Sequence, residues 1–319
     1  MFGTLQSPFS TKSGTAAALA EAKNVSMAIK KDAGGTLKWH CVGVGAHIVG
    51  QVDVANAAKY WLKDIVAGGF TRFKLEVARP GQDDKSDYIS LFDLKGKGIA
   101  MYERLRTELL INQQEYDVNN NQPINKSIAF LFGDPIRDSF WPNAIPVDRI
   151  GTLDWIFDPT ALHADFTVDS MAVSMYLLLV KLEEDKGGNY VASCWKEETG
   201  FTDYQVKSPE GLIQGAYLIN AQASQANICT SVSSDELSLA SAPGALMFNE
   251  WVQQHPFRDY LDDCWEDPTV AGQGMDYGFS LLEGRRNGPK TGKPGPITWK
   301  GASGSFPQTN TVLWRYIHP

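Results

Sequence analysis

Between Ser127 and Phe157 the chain reads SIAFLFGDPIRDSFWPNAIPVDRIGTLDWIF, two apolar runs set around a corner rich in Pro, Asn and Asp. No other stretch constrains the fold as tightly. Ile128 to Phe132 is a continuous apolar run closed by Gly133, Asp134 and Pro135. Leu153, Trp155 and Phe157 alternate with Thr152, Asp154 and Ile156, the period of two that a pleated strand requires. The stretch specifies strands joined by a corner, and it carries no catalytic signature.

The same period recurs along the chain. Val42, Val44, Ala46, Ile48, Val52 and Val54 share one parity, with His47, Gln51 and Asp53 on the other, which predicts a long half-buried strand or a bent pair. Phe73, Leu75 and Val77 alternate with Arg72, Lys74 and Glu76, and Pro80-Gly81 then turns the chain. Further strands are predicted at Ala172 to Leu182, Tyr204 to Lys207, Gly215 to Ala221, Glu236 to Leu239, Ala245 to Trp251, Gly278 to Leu282 and Thr311 to Ile317. Helix is a minority, predicted at Thr15 to Lys30, at Ala55 to Ala67 before Gly68-Gly69, and at Ile99 to Ile111. Short strands punctuated by Gly and Pro indicate a mainly β protein built as sandwiches or barrels. Three polar segments, Arg79 to Asp87, Asn112 to Lys126 and Asn287 to Gly304, read as loops.

Length and charge narrow the class. A chain of 319 residues exceeds the usual single domain, and the break in composition at Glu183 to Asn189, EEDKGGN, is the best boundary. This gives an N-terminal arm at 1–35, a first β domain at 36–186 and a second at 187–319. Gly35 to Val54 and Gly200 to Asn220 echo each other as strand, Gly-bearing turn and apolar strand, as a duplication would leave them. A net charge of -8 excludes the basic face that direct nucleic-acid binding needs. Cys41, Cys194, Cys229 and Cys264 have no C-x-x-C or finger spacing and read as buried free thiols. The chain shows no cleavable signal, and the longest apolar run, Met171 to Val180, falls short of a spanning helix, so synthesis in a cytoplasm is expected.

In the order of its features the chain resembles a known family. The strand VGVGAHIVGQV comes first, then FTRFKLEV with an acidic loop and DYISLFDLKGKGIAMYERLR. IAFLFGDPIRDSFWPNAIPVDRIGTLDWIF follows, with an A-[IL]-P corner at Ala144, Ile145 and Pro146, and MAVSMYLLLVKLEED closes the half. This series is similar to the first barrel of the double jelly-roll major capsid proteins of tailless icosahedral, membrane-containing viruses, relatives of the adenovirus hexon. The short chain looks most like the compact corticovirus-like and finnlakevirus-like bacteriophage members. The second half resembles them in length, strand density and the closing strand TVLWRYI.

The resemblance implies two tandem eight-stranded jelly rolls with a short N-terminal helical arm. It implies a structural protein of the virion, a homotrimer whose six rolls make a pseudo-hexameric tile, with neighbouring capsomers and minor capsid and penton proteins as partners. The arm from Met1 to Lys30, with Lys12, Lys23 and Lys30 and the adjoining Lys31, is expected to face the shell interior and an internal membrane.

Enzyme templates fail. Gly43, Gly45 and Gly50 do not keep G-x-G-x-x-G spacing, and no P-loop, G-x-S-x-G or H-E-x-x-H occurs. His163 and Asp165 suit a metal or an acid-base pair but read more simply as a loop pair. Glu183-Glu184 and Asp262-Asp263 offer a glycosidase's two carboxylates, against the simpler reading of solvated edges. Asp83, Asp84 and Asp87 would suit a calcium ion at an interface, against an acidic turn. Trp39, Trp61, Trp155, Trp251 and Trp314 would suit a sugar platform, against core and interface anchors. No catalytic, cofactor or metal residue is assigned, no cofactor is expected, and the alternative class is a two-domain carbohydrate-binding or carbohydrate-active β sandwich.

Overall fold

The computed structural model describes residues 10–14, 24–26, 38–54, 60–61, 71–82, 84, 86–95, 98–99, 102, 115–116, 121–133, 140–157, 166–182, 188–201, 205–207, 212–219, 229–234, 239–242, 277–280, 296–301 and 310–318. Two compact units divide the chain, Met1–Arg106 with Ile111–Ser193 and Thr107–Leu110 with Cys194–Pro319. The first holds β1 (Ser10–Gly14), β2 (Asn24–Ser26), β3 (Lys38–Val54), β4 (Tyr60–Trp61), β5 (Thr71–Ala78) and β6 (Tyr88–Lys95). It continues with β7 (Glu115–Tyr116), β8 (Gln122–Leu131), β9 (Ile145–Pro146), β10 (Ile150–Phe157) and β11 (Phe166–Leu182).

One sheet runs β1-β11-β3-β8, with β9 also on β3, and the other set of strands runs β6-β5-β10-β2. The apolar parity of β3, β5, β8, β10 and the second half of β11 points between the two. Val44, Ala46 and Ile48 of β3, Ile128 and Phe130 of β8, and Met175, Leu177 and Leu179 of β11 are buried from one side. Phe73, Leu75 and Val77 of β5, Ile89 and Phe92 of β6, and Leu153 and Trp155 of β10 are buried from the other. Phe130 stacks on Phe73 with ring centroids 3.9 Å apart and meets Phe92 edge-on at 5.7 Å and Trp155 at 6.3 Å. This aromatic contact is where the two sheets meet, with each ring contributing about 1.5 to 3 kcal/mol by burial. The outward side of β5 and β6 is polar, where Arg72 holds Asp93 in a two-pronged pair at 2.7 and 2.8 Å.

Where parity breaks, the ladder bulges. Leu91 and Phe92 are adjacent and both buried, and the β5–β6 register shifts between Leu75 and Glu76, so the extra residue is absorbed as a β-bulge. Gly98, Ile99 and Tyr102, within and beside the stretch predicted helical at Ile99 to Ile111, have helical backbone. The Tyr102 hydroxyl donates to the Leu131 carbonyl at 3.0 Å and accepts from the Leu131 amide at 2.9 Å, satisfying the last residue of the terminal strand β8.

Several sequence expectations are corrected. The N-terminal arm is not helical where it is described: Ser10–Gly14 pairs with β11, and Asn24–Ser26, inside the predicted helix Thr15 to Lys30, pairs with β10. Main-chain partners offered by sheet edges override the Ala- and Lys-rich propensity. Tyr60–Trp61, inside the predicted helix Ala55 to Ala67, pairs with Glu115–Tyr116, so the predicted loop Asn112 to Lys126 also contains strand. β8 starts at Gln122, six residues before its apolar run, because a terminal strand tolerates exposed Pro123, Asn125 and Ser127.

The second unit contains β12 (Ser193–Phe201), β13 (Gln205–Lys207), β14 (Leu212–Ile219), β15 (Cys229–Ser234), β16 (Leu239–Ala242), β17 (Tyr277–Ser280), β18 (Pro296–Gly301) and β19 (Asn310–Ile317). Its strands run β17-β14-β19-β12 and β13-β18-β15-β16. Trp195, Val312, Leu313 and Trp314 are buried. Arg315 lies 5.3 Å over the Trp195 ring, and the Trp314 indole donates to Glu198 at 3.2 Å. β18 falls in Asn287 to Gly304, which sequence assigned to loop; Ile297-Thr298-Trp299 is strand-forming and pairs with β15 and β13. The strand predicted at Ala245 to Trp251 lies outside the described residues.

Phe130→Ala is expected to cost about 3 to 5 kcal/mol in urea unfolding, since it empties the inter-sheet contact. Thr152→Ala, on the exposed side of β10, should change the midpoint by less than about 0.5 kcal/mol.

Candidate functional site

The polar chemistry of the first unit converges on one corner, and it is structural chemistry. Gly81 has φ +74°, the left-handed region that glycine enters without steric cost, and this lets the turn after β5 present its amide to the Gly188 carbonyl at 2.9 Å. The chain leaving β11 is thereby caught. Two residues on, the Tyr190 hydroxyl donates to the Ala78 carbonyl, and the Val191 amide donates to the Pro142 carbonyl at 2.8 Å. Asn143, at the end of a helical turn Phe140–Asn143, donates from Nδ2 to the Val191 carbonyl at 3.0 Å. Arg149 is 5% exposed and donates to the Gln82 carbonyl. A buried guanidinium requires such partners, because an unpaired charge there would cost several kcal/mol.

The Ala144-Ile145-Pro146 corner has its physical role here. Ala144 and Ile145 are buried, and Ile145 and Pro146 pair with Cys41 and His40 at the start of β3. Tyr190, Arg149 and Asn143 were missed by sequence reasoning. The available signals were an arginine at the foot of an apolar strand and a tyrosine directly after a Gly-Gly-Asn break.

His163, Asp165, Glu183, Glu184, Asp262, Asp263 and Asp83 lie outside the described residues. Asp84 accepts from the Ser86 amide at 2.8 Å and hydroxyl at 2.7 Å, and the Ser86 hydroxyl and amide hold its carboxyl below the usual range. Asp87 pairs with Arg79 at 2.6 Å, while its carbonyl accepts from the Arg79 amide at 2.8 Å. Both carboxylates are thus engaged within their own loop. Among the described residues no three metal-ligating side chains gather. Trp155 and Trp314 are buried and present no platform to a sugar, and the side chains of Trp61 and Trp251 lie outside the described set. Cys41 and Cys194 are buried thiols outside any disulfide, and burial pushes each up to about 12, far from the reactive thiolate.

No protein-family model matches the chain, and no curated protein matches it. Solved structures do. The major capsid protein of Sulfolobus turreted icosahedral virus aligns over 99% of this chain and 95% of its own, with a TM-score of 0.56 and 12% identity. A chain from the atomic structure of the same virus aligns over 99% and 90%, with a TM-score of 0.57 and 9% identity. The major capsid protein of bacteriophage PM2 aligns over 99% and 95%, with a TM-score of 0.46 and 8% identity. At such identity the likeness is one of fold: the chain is a double jelly roll, the architecture that the order of its sequence features implied.

Tyr190→Phe is expected to destabilise the protein by about 1 to 3 kcal/mol, because the Ala78 carbonyl is left without its donor, and to speed proteolysis between Glu183 and Ser193. Below the free thiol's 9.0, Cys41 is neutral folded or unfolded. Above it the unfolded chain ionises while the folded one stays neutral up to about 12. Stability therefore falls as pH rises through that window, and urea midpoints of Cys41→Ala should fall less steeply across it. Thiol reagents should label Cys41 and Cys194 only after unfolding.

Proposed function

We propose that this chain is a major capsid subunit, a structural protein that associates with itself as a homotrimer and tiles the shell of an icosahedral virion. The observation that supports this reading most is the extent of the fold likeness. A virus's major capsid protein is matched over 99% of this chain and 95% of its own, at a TM-score of 0.56. The likeness is therefore not confined to one sandwich, which many unrelated functions share.

A physical reason supports the role as well. A jelly roll is a stiff sandwich whose sheet faces suit packing and whose loops vary freely. One roll precedes and one follows the break at Glu183 to Asn189 in the sequence, so three copies in closed cyclic symmetry supply six rolls for a pseudo-hexagonal tile. Residues 1–35 belong at the interior side of the shell, beside an internal membrane where the virion has one. Minor capsid and penton proteins complete the partners. Function in this reading resides in the subunit interfaces, which resemble a domain core cut in half, and no residue acts in catalysis. The protein is made in the host cytoplasm and resides in the virion.

The test is the mass of the purified protein by light scattering, expected at three chains or a larger assembly; a stable monomer overturns the reading. Single Ala substitutions of His163, Asp165, Glu183 and Asp262 are expected to leave assembly intact. A hydrolase screen with turnover lost in one of those variants would favour the carbohydrate-active alternative.

A further inference from the structure

Both strand sets of the first unit end on a strand supplied by the N-terminal segment. β1 lies along β11, from Ser10 opposite Met175 to Gly14 opposite Met171. β2 lies along β10, with Val25 opposite Trp155. Among the described residues β1 and β2 hold the terminal places in their strand orders, so without them β11 and β10 would be the edges.

The chemistry of the two pairings is lopsided in the same way. The donors read STKSG and NVS, while the β11 acceptor at 171–175 reads MAVSM and the β10 acceptor at 154–156 reads DWI. A ladder needs only N–H and C=O groups, so a polar donor pairs as well as any other. An uncovered apolar edge, in contrast, templates pairing with another chain. β1 and β2 are poor templates in their turn, being short, with a lysine and a glycine in β1. The segment replaces two recruiting edges by two that do not recruit.

We propose that the N-terminal segment is a self-capping strap: by filling two strand-acceptor edges within its own chain, it prevents copies from pairing edge to edge through β10 and β11. Self-association is thereby confined to other surfaces. The strap acts whether the finished assembly is a trimer or not, because its effect is read against the intact protein's own particle size.

The experiment breaks and pins the strap in the full chain. Lys12→Pro with Ser13→Pro removes two successive amides of β1. Amide exchange at 171–175 should become at least about tenfold faster, with concentration-dependent association beyond the intact protein's state that a synthetic peptide of the N-terminal segment reverses. Ser13→Cys with Ala172→Cys, opposite in register, pins the strap when oxidised and should hold the intact protein's state at every concentration. Unchanged exchange at 171–175 overturns the proposal, and so does faster exchange with unchanged association. Should the double proline variant not fold, the single variants Lys12→Pro and Ser13→Pro take its place, and unchanged exchange at 171–175 or unchanged association in both overturns the proposal.

Discussion

The first unit depends on the contact of Phe130 with Phe73, because it fixes which face of every neighbouring strand is inside. Phe130 arrives on β8 and Phe73 on β5, and their stacked rings hold the sheets at one separation. Once this pair is set, side chains of the same parity on β3, β10 and β11 must point between the sheets, and a one-residue slip would turn each strand inside out. The β5–β6 bulge follows from the same constraint: adjacent Leu91 and Phe92 both need burial, and a regular ladder would bury only one of them.

The tied corner is the polar counterpart of that core. Among the described residues at the end of the first unit, the sealing is done by single hydrogen bonds from Tyr190, Asn143, Arg149 and the Gly81 amide, each to a main-chain carbonyl. Carbonyls released from ladders at strand ends need such donors. The corner therefore joins β5, β10 and the segment after β11 through main-chain carbonyls.

Strands with a buried face were legible in the sequence because burial imposes a period. Val44, Ala46 and Ile48 and Phe73, Leu75 and Val77 announced β3 and β5. Strands held chiefly by main-chain pairing were not legible. Ser10–Gly14, Tyr60–Trp61 and the first half of β8 have no apolar alternation to read, and their partners are far away in sequence. β12 was missed for a related reason: Lys196 to Thr199 is polar, and its buried parity among the described residues is Ser193, Trp195 and Glu197, two of them polar. The corner was legible at Ala144 to Pro146 and silent at Tyr190, since a single hydroxyl bonded to a carbonyl leaves no pattern along the chain. Which carboxylates would be tied up locally, as Asp84 and Asp87 are, depended on loop geometry.

Glycine spacing on β3 carries a consequence for how this sequence can drift over generations. Tyr176 of β11 sits directly opposite Gly45, and its ring occupies the space that a Cβ at residue 45 would need. Gly151 of β10 meets Tyr88 of β6 across β5, the Tyr88 ring lying 2.6 Å from the position of a Cβ. A side chain at either glycine has to displace the far end of its tyrosine ring, so the two members of each pair do not vary independently.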